Sequence, residues 1–475
     1  MPRGERKRMM LQVRALRRRV ASSLAEMTTA NAFRKRLINI GHLMVGNFGA
    51  GVIAFFAVAI AARGLGVEKF GVLALVSTFI QAIERFVSFQ TWQPIIRFGA
   101  GLKEQGRHDD LNAVVKFGFL LDLAAAITGF AIAAGLALFG AERFGWPSEV
   151  RNSLLLYSGA LLFLITGSPT GVMRLAGRFR EIAYFQVIAM TVRCALCAIA
   201  LAAGAGLFVY VAIWAGTHVL GAILLMATGF RQLGRIGCAD FMKSSLNDMS
   251  QRFPKIWRFA ALANLSLSIR SSAQQLDTLI VGALAGAGGA GLYHIAKRIA
   301  KFAQQAGQQV QAVVFPDIAR MWARGDIDSF QKDVARTEGL LLLMCGLGAG
   351  ATFLLADPVI SLFAGDKYAD AGDMLKVQII AVAALLAGSV ARAALLCMGK
   401  ELTVFWLSVA STAIFFTTAV YFIPRAGAIG GNYAHAIAGV FIVAALWIAY
   451  KAALRSIPSP GFRPGAPSAG LDDGF

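Results

Sequence analysis

A chain of 475 residues that is 57% hydrophobic and only 15% charged, with a mean hydropathy of +0.63, falls outside the range of soluble domains, which carry about a quarter charged residues. It reads as an integral membrane protein. Its formal net charge of +20 would suggest nucleic acid in a soluble protein, but membrane proteins collect Lys and Arg in their cytoplasmic loops, so nucleic acid is not an expected partner.

Residues 1–36 form a basic segment that opens PRGERKRMMLQVRALRRRV after Met1. No short apolar core with a small-residue cleavage site follows, so the expectation is a cytoplasmic segment held by anionic lipid rather than a removed signal peptide. Twelve apolar runs then follow, at about 20 residues needed per crossing: 37–62, 70–95, 112–139, 153–174, 182–204, 207–229, 258–284, 289–315, 338–364, 374–398, 402–423 and 428–450. The loops after even-numbered runs hold most of the cations, among them Arg97, Lys103, Arg174, Arg231, Arg320 and Lys332. The opposite loops hold Arg63, Lys69, Arg143, Arg151, Lys367 and Arg425. This alternation places both termini in the cytoplasm.

The longest internal loop, 230–257, separates a six-helix bundle over 37–229 from a second over 258–455. The tail 456–475 is rich in Pro, Gly and Ser and is expected to be disordered. The two halves echo each other. ARGLGVEKFGVLAL (62–75) and GALAGAGGAGLYHI (282–295) both join consecutive helices, and Gly66 and Gly71 match Gly286 and Gly291. A six-helix repeat returns the chain to the same side, so the expected fold is all-α: about twelve transmembrane helices in two six-helix bundles. These are related by a pseudo-two-fold along the membrane normal, with the substrate between them.

Several helices carry polar residues at membrane depth, where charges usually face a protein interior or a wet cavity. The eighth run aligns His294, Lys297, Arg298, Lys301, Gln304 and Gln308 at helical spacing. A helix end snorkelling to the interface explains the cations but leaves the continuing amides unexplained. The seventh run places Arg270, Gln274 and Asp277 three or four apart, with Asn264 in a second row. The second run has Glu84 and Arg85; a structural pair is an equal reading for these and for Arg270 with Asp277. Asp122, Arg193, His218 and Arg392 are isolated polar positions, of which Asp122 and His218 read as satisfied packing residues. Cations suit a phosphate or diphosphate, because guanidinium forks bind it bidentately. Amides and hydroxyls suit a sugar.

Other chemistries are poorly supported. Cys194 and Cys197 lie inside an apolar run and read as packing, with no disulfide framework or metal site expected. No G-x-x-x-x-G-K-[ST] phosphate loop is present, and GAGLKEQG (99–106) has the wrong spacing. No outer loop is long enough for a catalytic domain. The expectation is therefore a carrier without cofactor or catalytic residues.

The stretches NFGAGVIAFFAVAIAARGLGVEKFGVLALVSTF (47–79), LDTLIVGALAGAGGAGLYHIAKRIAKF (276–302) and VVFPDIARM (313–321) resemble helices one, two, seven and eight of O-antigen and exopolysaccharide repeat-unit flippases. These belong to the multidrug/oligosaccharidyl-lipid/polysaccharide exporter superfamily. Lipid II flippases of that superfamily usually have fourteen helices, and the twelve runs here count against that member. The resemblance implies two bundles rocking about a cationic cavity that moves undecaprenyl-diphosphate-linked oligosaccharide across a bacterial inner membrane. Arg85, Arg270, Lys297, Arg298 and Lys301 are the positions that fit the cationic role, Asn264, Gln274, Gln304 and Gln308 the polar lining, and Glu84 or Asp277 a coupling to H+ or Na+. Membrane lipids, a polysaccharide polymerase and chain-length proteins are the implied partners. The rival readings are a cation-coupled multidrug exporter, whose cavity would be dominated by acids; a membrane glycan polymerase or transferase, which would need a longer outer loop; and a non-transporting scaffold, which leaves buried cations without a purpose.

Overall fold

The computed structural model describes residues 46–140, 148–247 and 249–456, with some positions between 262 and 323 described by backbone alone. The basic segment 1–36 and all of the tail but Ser456 lie outside the described residues. All regular structure among the described residues is helical. In hydrocarbon each backbone N–H and C=O must find its partner within the protein, and a helix does this locally.

The first element, α1, runs Gly46–Val87 over 42 residues. A straight helix of that length would reach about 63 Å, twice the ~30 Å hydrocarbon thickness. Gly66 breaks it with a φ of +73°. Trp92–Glu104 (α2), His108–Gly135 (α3), Ser148–Ser158 (α4), Gly167–Leu175 (α5), Phe179–Ala202 (α6) and Leu207–Arg235 (α7) complete the first half. The second half begins after the single turn Met249–Arg252 (α8) with Ile256–Ala323 (α9), 68 residues interrupted at Gly286, whose φ of 77° and ψ of 176° are not helical. Lys297 reaches back to Asp277 twenty positions earlier, so α9 reverses at that glycine. Only glycine takes this backbone conformation without a Cβ penalty. Ile327–Ala364 (α10), Ala371–Cys397 (α11), Glu401–Ala426 (α12) and Ile429–Arg455 (α13) follow. Ten helices among the described residues are long and apolar enough to cross a membrane. Two of them, α1 and α9, are each a pair of crossings broken at a glycine, which brings the crossings to twelve.

One span is broken in its middle. After α4 the chain tightens into a 3-10 turn, Gly159–Phe163, and restarts as α5. Asp122 of α3 makes the break tolerable. Its carboxylate accepts the Ser168 backbone N–H at 2.6 Å, the Ser168 hydroxyl at 2.7 Å and the Thr91 hydroxyl at 2.6 Å. A carboxylate at the start of a helix satisfies orphan donors and meets the positive end of the helix dipole. Asp122 is therefore a structural tie among α2, α3 and α5.

The two halves meet at the tips of their glycine turns. A Cβ built on Gly71 would lie 1.8 Å from the Ala287 carbonyl oxygen, and one on Gly291 would lie 2.7 Å from the Val67 carbonyl oxygen and 3.2 Å from Gly71 Cα. The repeat-related glycines thus bring backbone against backbone. Around this contact Tyr368 OH donates to the Ala62 carbonyl at 3.0 Å, Arg63 Nη2 donates to the Leu362 carbonyl at 2.5 Å, and the rings of Phe55 and Phe363 lie 3.9 Å apart. This end of the bundle is sealed.

At the opposite end the linker packs down onto the first half. Cys238, Phe241, Met249 and Phe253 are buried with Ile95, Leu102 and Leu111. Lys116 Nζ donates to the Ser244 carbonyl at 2.7 Å, and Arg252 pairs with Asp110. The first turn of α9 belongs to the same packing, with Phe117 and Trp257 edge to face at 4.7 Å and Arg97 4.5 Å above the Phe259 ring. Between linker and α9 stands Lys255 at a φ of +70°, the one non-glycine residue with positive φ among the described residues. That conformation costs about 1 kcal/mol or more and marks a joint.

A Leu at position 71 forces the two tips apart. Gly71→Leu is expected to cost at least ~1–3 kcal/mol by overpacking and to lower the thermal unfolding temperature in detergent. Gly101→Ala, where an added Cβ meets nothing within 4 Å, leaves it unchanged or raised.

Candidate functional site

Below the sealed tips a cavity of about 610 Å³ opens between the halves. It begins near Val58, some two turns or about 12 Å from Gly66, and extends down α1 to Asn47. The two halves of α1 contribute Asn47, Gly51, Gln81 and Glu84; α6 and α7 contribute Gln186, Arg193, Trp214 and His218. The facing wall is largely the second arm of α9, which presents His294, Lys297, Arg298, Lys301, Gln304 and Gln305. Their three- and four-residue spacing puts them on one face, which the packing turns inward. Four full cations, Arg193, Lys297, Arg298 and Lys301, share this space with two carboxylates, Glu84 and Asp277. Among the described lining residues the balance is therefore an excess of two positive charges, with histidines counted as neutral.

Asp277 anchors the densest network. It has no exposed side-chain surface, and Lys297, partly open to the cavity, places Nζ 2.6 Å from its Oδ1. Tyr293 OH donates to Oδ2 at 2.9 Å, His435 Nε2 sits 3.0 Å from the same oxygen, and the Thr278 N–H donates to Oδ1 at 2.5 Å. The pair thus joins the two arms of α9 to α13. A buried ion pair survives when its remaining lone pairs are satisfied in this way. Lys297 consequently offers the cavity a cation already half neutralised. Arg298 is different: its Nε is buried without a partner, as is His294 Nδ1. Lys301 stands exposed to the cavity.

The other wall is quieter. Arg193 spends its charge locally, with Nε donating to the Thr217 hydroxyl at 2.8 Å and the guanidinium 5.0 Å over the Trp214 ring. Glu84 faces His218 Nε2 at 3.7 Å, and Tyr157 OH lies 3.5 Å from His218 Nδ1.

Lys297, Arg298, Lys301, Gln304, Glu84 and Asp277 thus come together around one cavity. Arg85 is not among the lining residues; it is exposed, one turn on from Gln81 on the same side of the helix. Asn264 is half-buried outside the lining. The side chains of Arg270, Gln274 and Gln308 lie outside the described ones. Arg193 and His218, isolated in the sequence, gain their place from the packing of α6 and α7 against α1. Gln186 and His435 carry no signal in the sequence beyond being polar within apolar runs.

Breaking the Asp277–Lys297 pair from either side is expected to cost about 3–5 kcal/mol. Thermal unfolding of Asp277→Asn, Lys297→Met and the double variant should show the double less destabilised than the two singles added, with a coupling of about 1–3 kcal/mol.

Comparison with known proteins agrees with this architecture. Residues 37–322 match the family described as polysaccharide biosynthesis protein. The inner membrane protein YghQ of Escherichia coli (strain K12) is 26% identical over 354 residues, spanning 72% of this chain and 96% of that protein. Among solved structures, the fold is similar to a multidrug resistance MATE family transporter of the MOP superfamily in its inward-facing conformation, with a TM-score of 0.70 at 15% identity over 88% of this chain and 99% of that one. It is also similar to the lipid II flippase MurJ in an inward closed conformation, with a TM-score of 0.65 at 14% identity over 86% and 87% of the two chains. These structures share the fold of two helical bundles about a central space. The match over more than half of the chain, from the first crossing through both arms of α9, makes this multi-pass membrane protein a member of the polysaccharide biosynthesis protein family.

Proposed function

We propose that this protein is a flippase that moves undecaprenyl-diphosphate-linked oligosaccharide repeat units from the cytoplasmic to the periplasmic leaflet of the bacterial inner membrane. The observation that carries this reading is the excess of positive charge in a cavity enclosed between two bundles, in a chain of a polysaccharide biosynthesis family. A diphosphate is strongly hydrated, and a path through hydrocarbon must replace that water with charged donors. Arg298 and Lys301 provide them. The amides of Gln81, Gln186, Gln304 and Gln305 suit sugar hydroxyls, and a polyprenyl tail needs no pocket because it stays in lipid.

The sealed tips and the cavity below them correspond to one of two states in an alternating-access cycle. With both termini in the cytoplasm, as the loop charges argue, the closed end is periplasmic and this state receives substrate from the inner leaflet. Opening outward requires the Gly71–Gly291 approach and the Tyr368–Ala62 bond to part. Glu84 and Asp277 are the two carboxylates placed to couple that change to H+ or Na+. A polysaccharide polymerase and chain-length proteins are the partners that would take up the product. Multidrug export, the rival suggested by the shared fold, calls for acidic residues to attract cationic drugs, whereas the cavity has more cations than carboxylates.

The test uses a strain deleted for the gene. Arg298→Ala/Lys301→Ala removes two charge-assisted contacts worth about 1.5–3 kcal/mol each, so transport is expected to fall at least tenfold. With the variant at wild-type level in the membrane, surface polysaccharide should be lost and lipid-linked repeat units should accumulate on the cytoplasmic leaflet. Unchanged polysaccharide, or a changed resistance to cationic drugs alone, overturns the flippase reading.

A further inference from the structure

The cavity's charge is not shared between its walls. On the wall built by the first half, Glu84 and Arg193 cancel, and Arg193 is already bonded to Thr217 and covers Trp214. On the wall built by the second half, Lys297, Arg298 and Lys301 face one carboxylate among the described lining residues, Asp277, so the excess of two positive charges counted over those residues sits there. Arg298 Nε and His294 Nδ1 are buried on that wall without partners. A buried polar atom left unmatched costs about 1–3 kcal/mol, and Lys301 beside them is exposed to the cavity as a cation. The first wall offers different chemistry. Gln81 and Gln186 are exposed to the cavity, and Glu84 and His218 keep about a quarter of their side-chain surface open. With the Glu84 charge balanced by Arg193 on the same wall, these groups donate and accept hydrogen bonds, which is what the hydroxyls of a neutral sugar need.

We infer that the cavity binds its substrate in one fixed polarity, with the phosphates on the second-half wall at Arg298 and Lys301 and the glycan on the first-half wall at Gln81, Glu84, Gln186 and His218. This rests on the flippase reading and adds the division of labour between the bundles. The division has a consequence for transport. A ligand can draw two bodies together only through contacts made to both. A lipid diphosphate that carries sugar touches both walls, while one without sugar touches a single wall. The bare carrier lipid then binds without bridging the bundles, and the protein discriminates loaded from unloaded lipid by geometry.

The experiment separates the two ends of the substrate. Farnesyl diphosphate, which has the anion and a short prenyl chain but no sugar, is titrated into the purified full-length protein in lipid nanodiscs. Polysaccharide export by the same variants is measured in the deletion strain. Lys301→Ala is expected to weaken farnesyl diphosphate binding by roughly tenfold, the loss of one charged contact. Gln81→Ala and Gln186→Ala should change it less than about twofold, within the spread of uncoupled sites, yet each should lower export severalfold while keeping the wild-type unfolding temperature. Equal weakening by variants of both walls overturns the inference, as does wild-type export from both first-wall variants. Farnesyl diphosphate that fails to bind the wild-type protein overturns the flippase reading and this inference with it. Binding that is present but distributed over both walls overturns only the inference.

Discussion

The approach of Gly71 to Gly291 is the contact on which the rest of the architecture depends. It needs two hairpin tips with no side chain between them, and it joins the two halves at their repeat-related points. Because backbone meets backbone there, the bundles close at one end. Helices that touch at one end and enclose polar side chains lower down must leave a space between them. The cavity is thus a geometric result of two small residues. The aromatic and carbonyl contacts of Phe55, Phe363, Tyr368 and Arg63 surround that seal and supply directional bonds that a glycine pair lacks.

Buried charge is handled in two ways in this molecule. Asp122 and Asp277 are surrounded by donors, and each ties helices that are distant in sequence. Arg298 and Lys301 are left facing the cavity, one with a buried nitrogen unmatched. Stability alone does not account for an unmatched guanidinium nitrogen at membrane depth, since an apolar side chain of similar size would cost less.

The linker is also more than a tether. Its buried Cys238, Phe241 and Phe253 hold it to the first bundle, and the first turn of α9 shares that packing. A movement of the second bundle relative to the first must therefore bend the chain beyond this anchored turn.

The sequence by itself determined the membrane class, the twelve crossings, the two-fold repeat and the inward-facing stripe on the second arm of α9. Each of these is periodic: apolar runs of bilayer length, glycines five apart in two places, cations and amides at three- and four-residue spacing. Periodicity is a local property, so it survives without a third dimension. Lys297, Arg298, Lys301 and Gln304 were legible for that reason. Only the tertiary structure decided which single polar residues join them. Arg193, His218, Gln186 and His435 stand alone in their helices, and a lone polar residue has no phase against which to read its direction. Arg85 follows Glu84 and shares a face with Gln81, so spacing alone did not show that it stays outside the lining. The balance of charge between the two walls was likewise beyond the sequence, because it depends on how Arg193 folds onto Trp214 and how Asp277 reaches Lys297 across the reversal at Gly286.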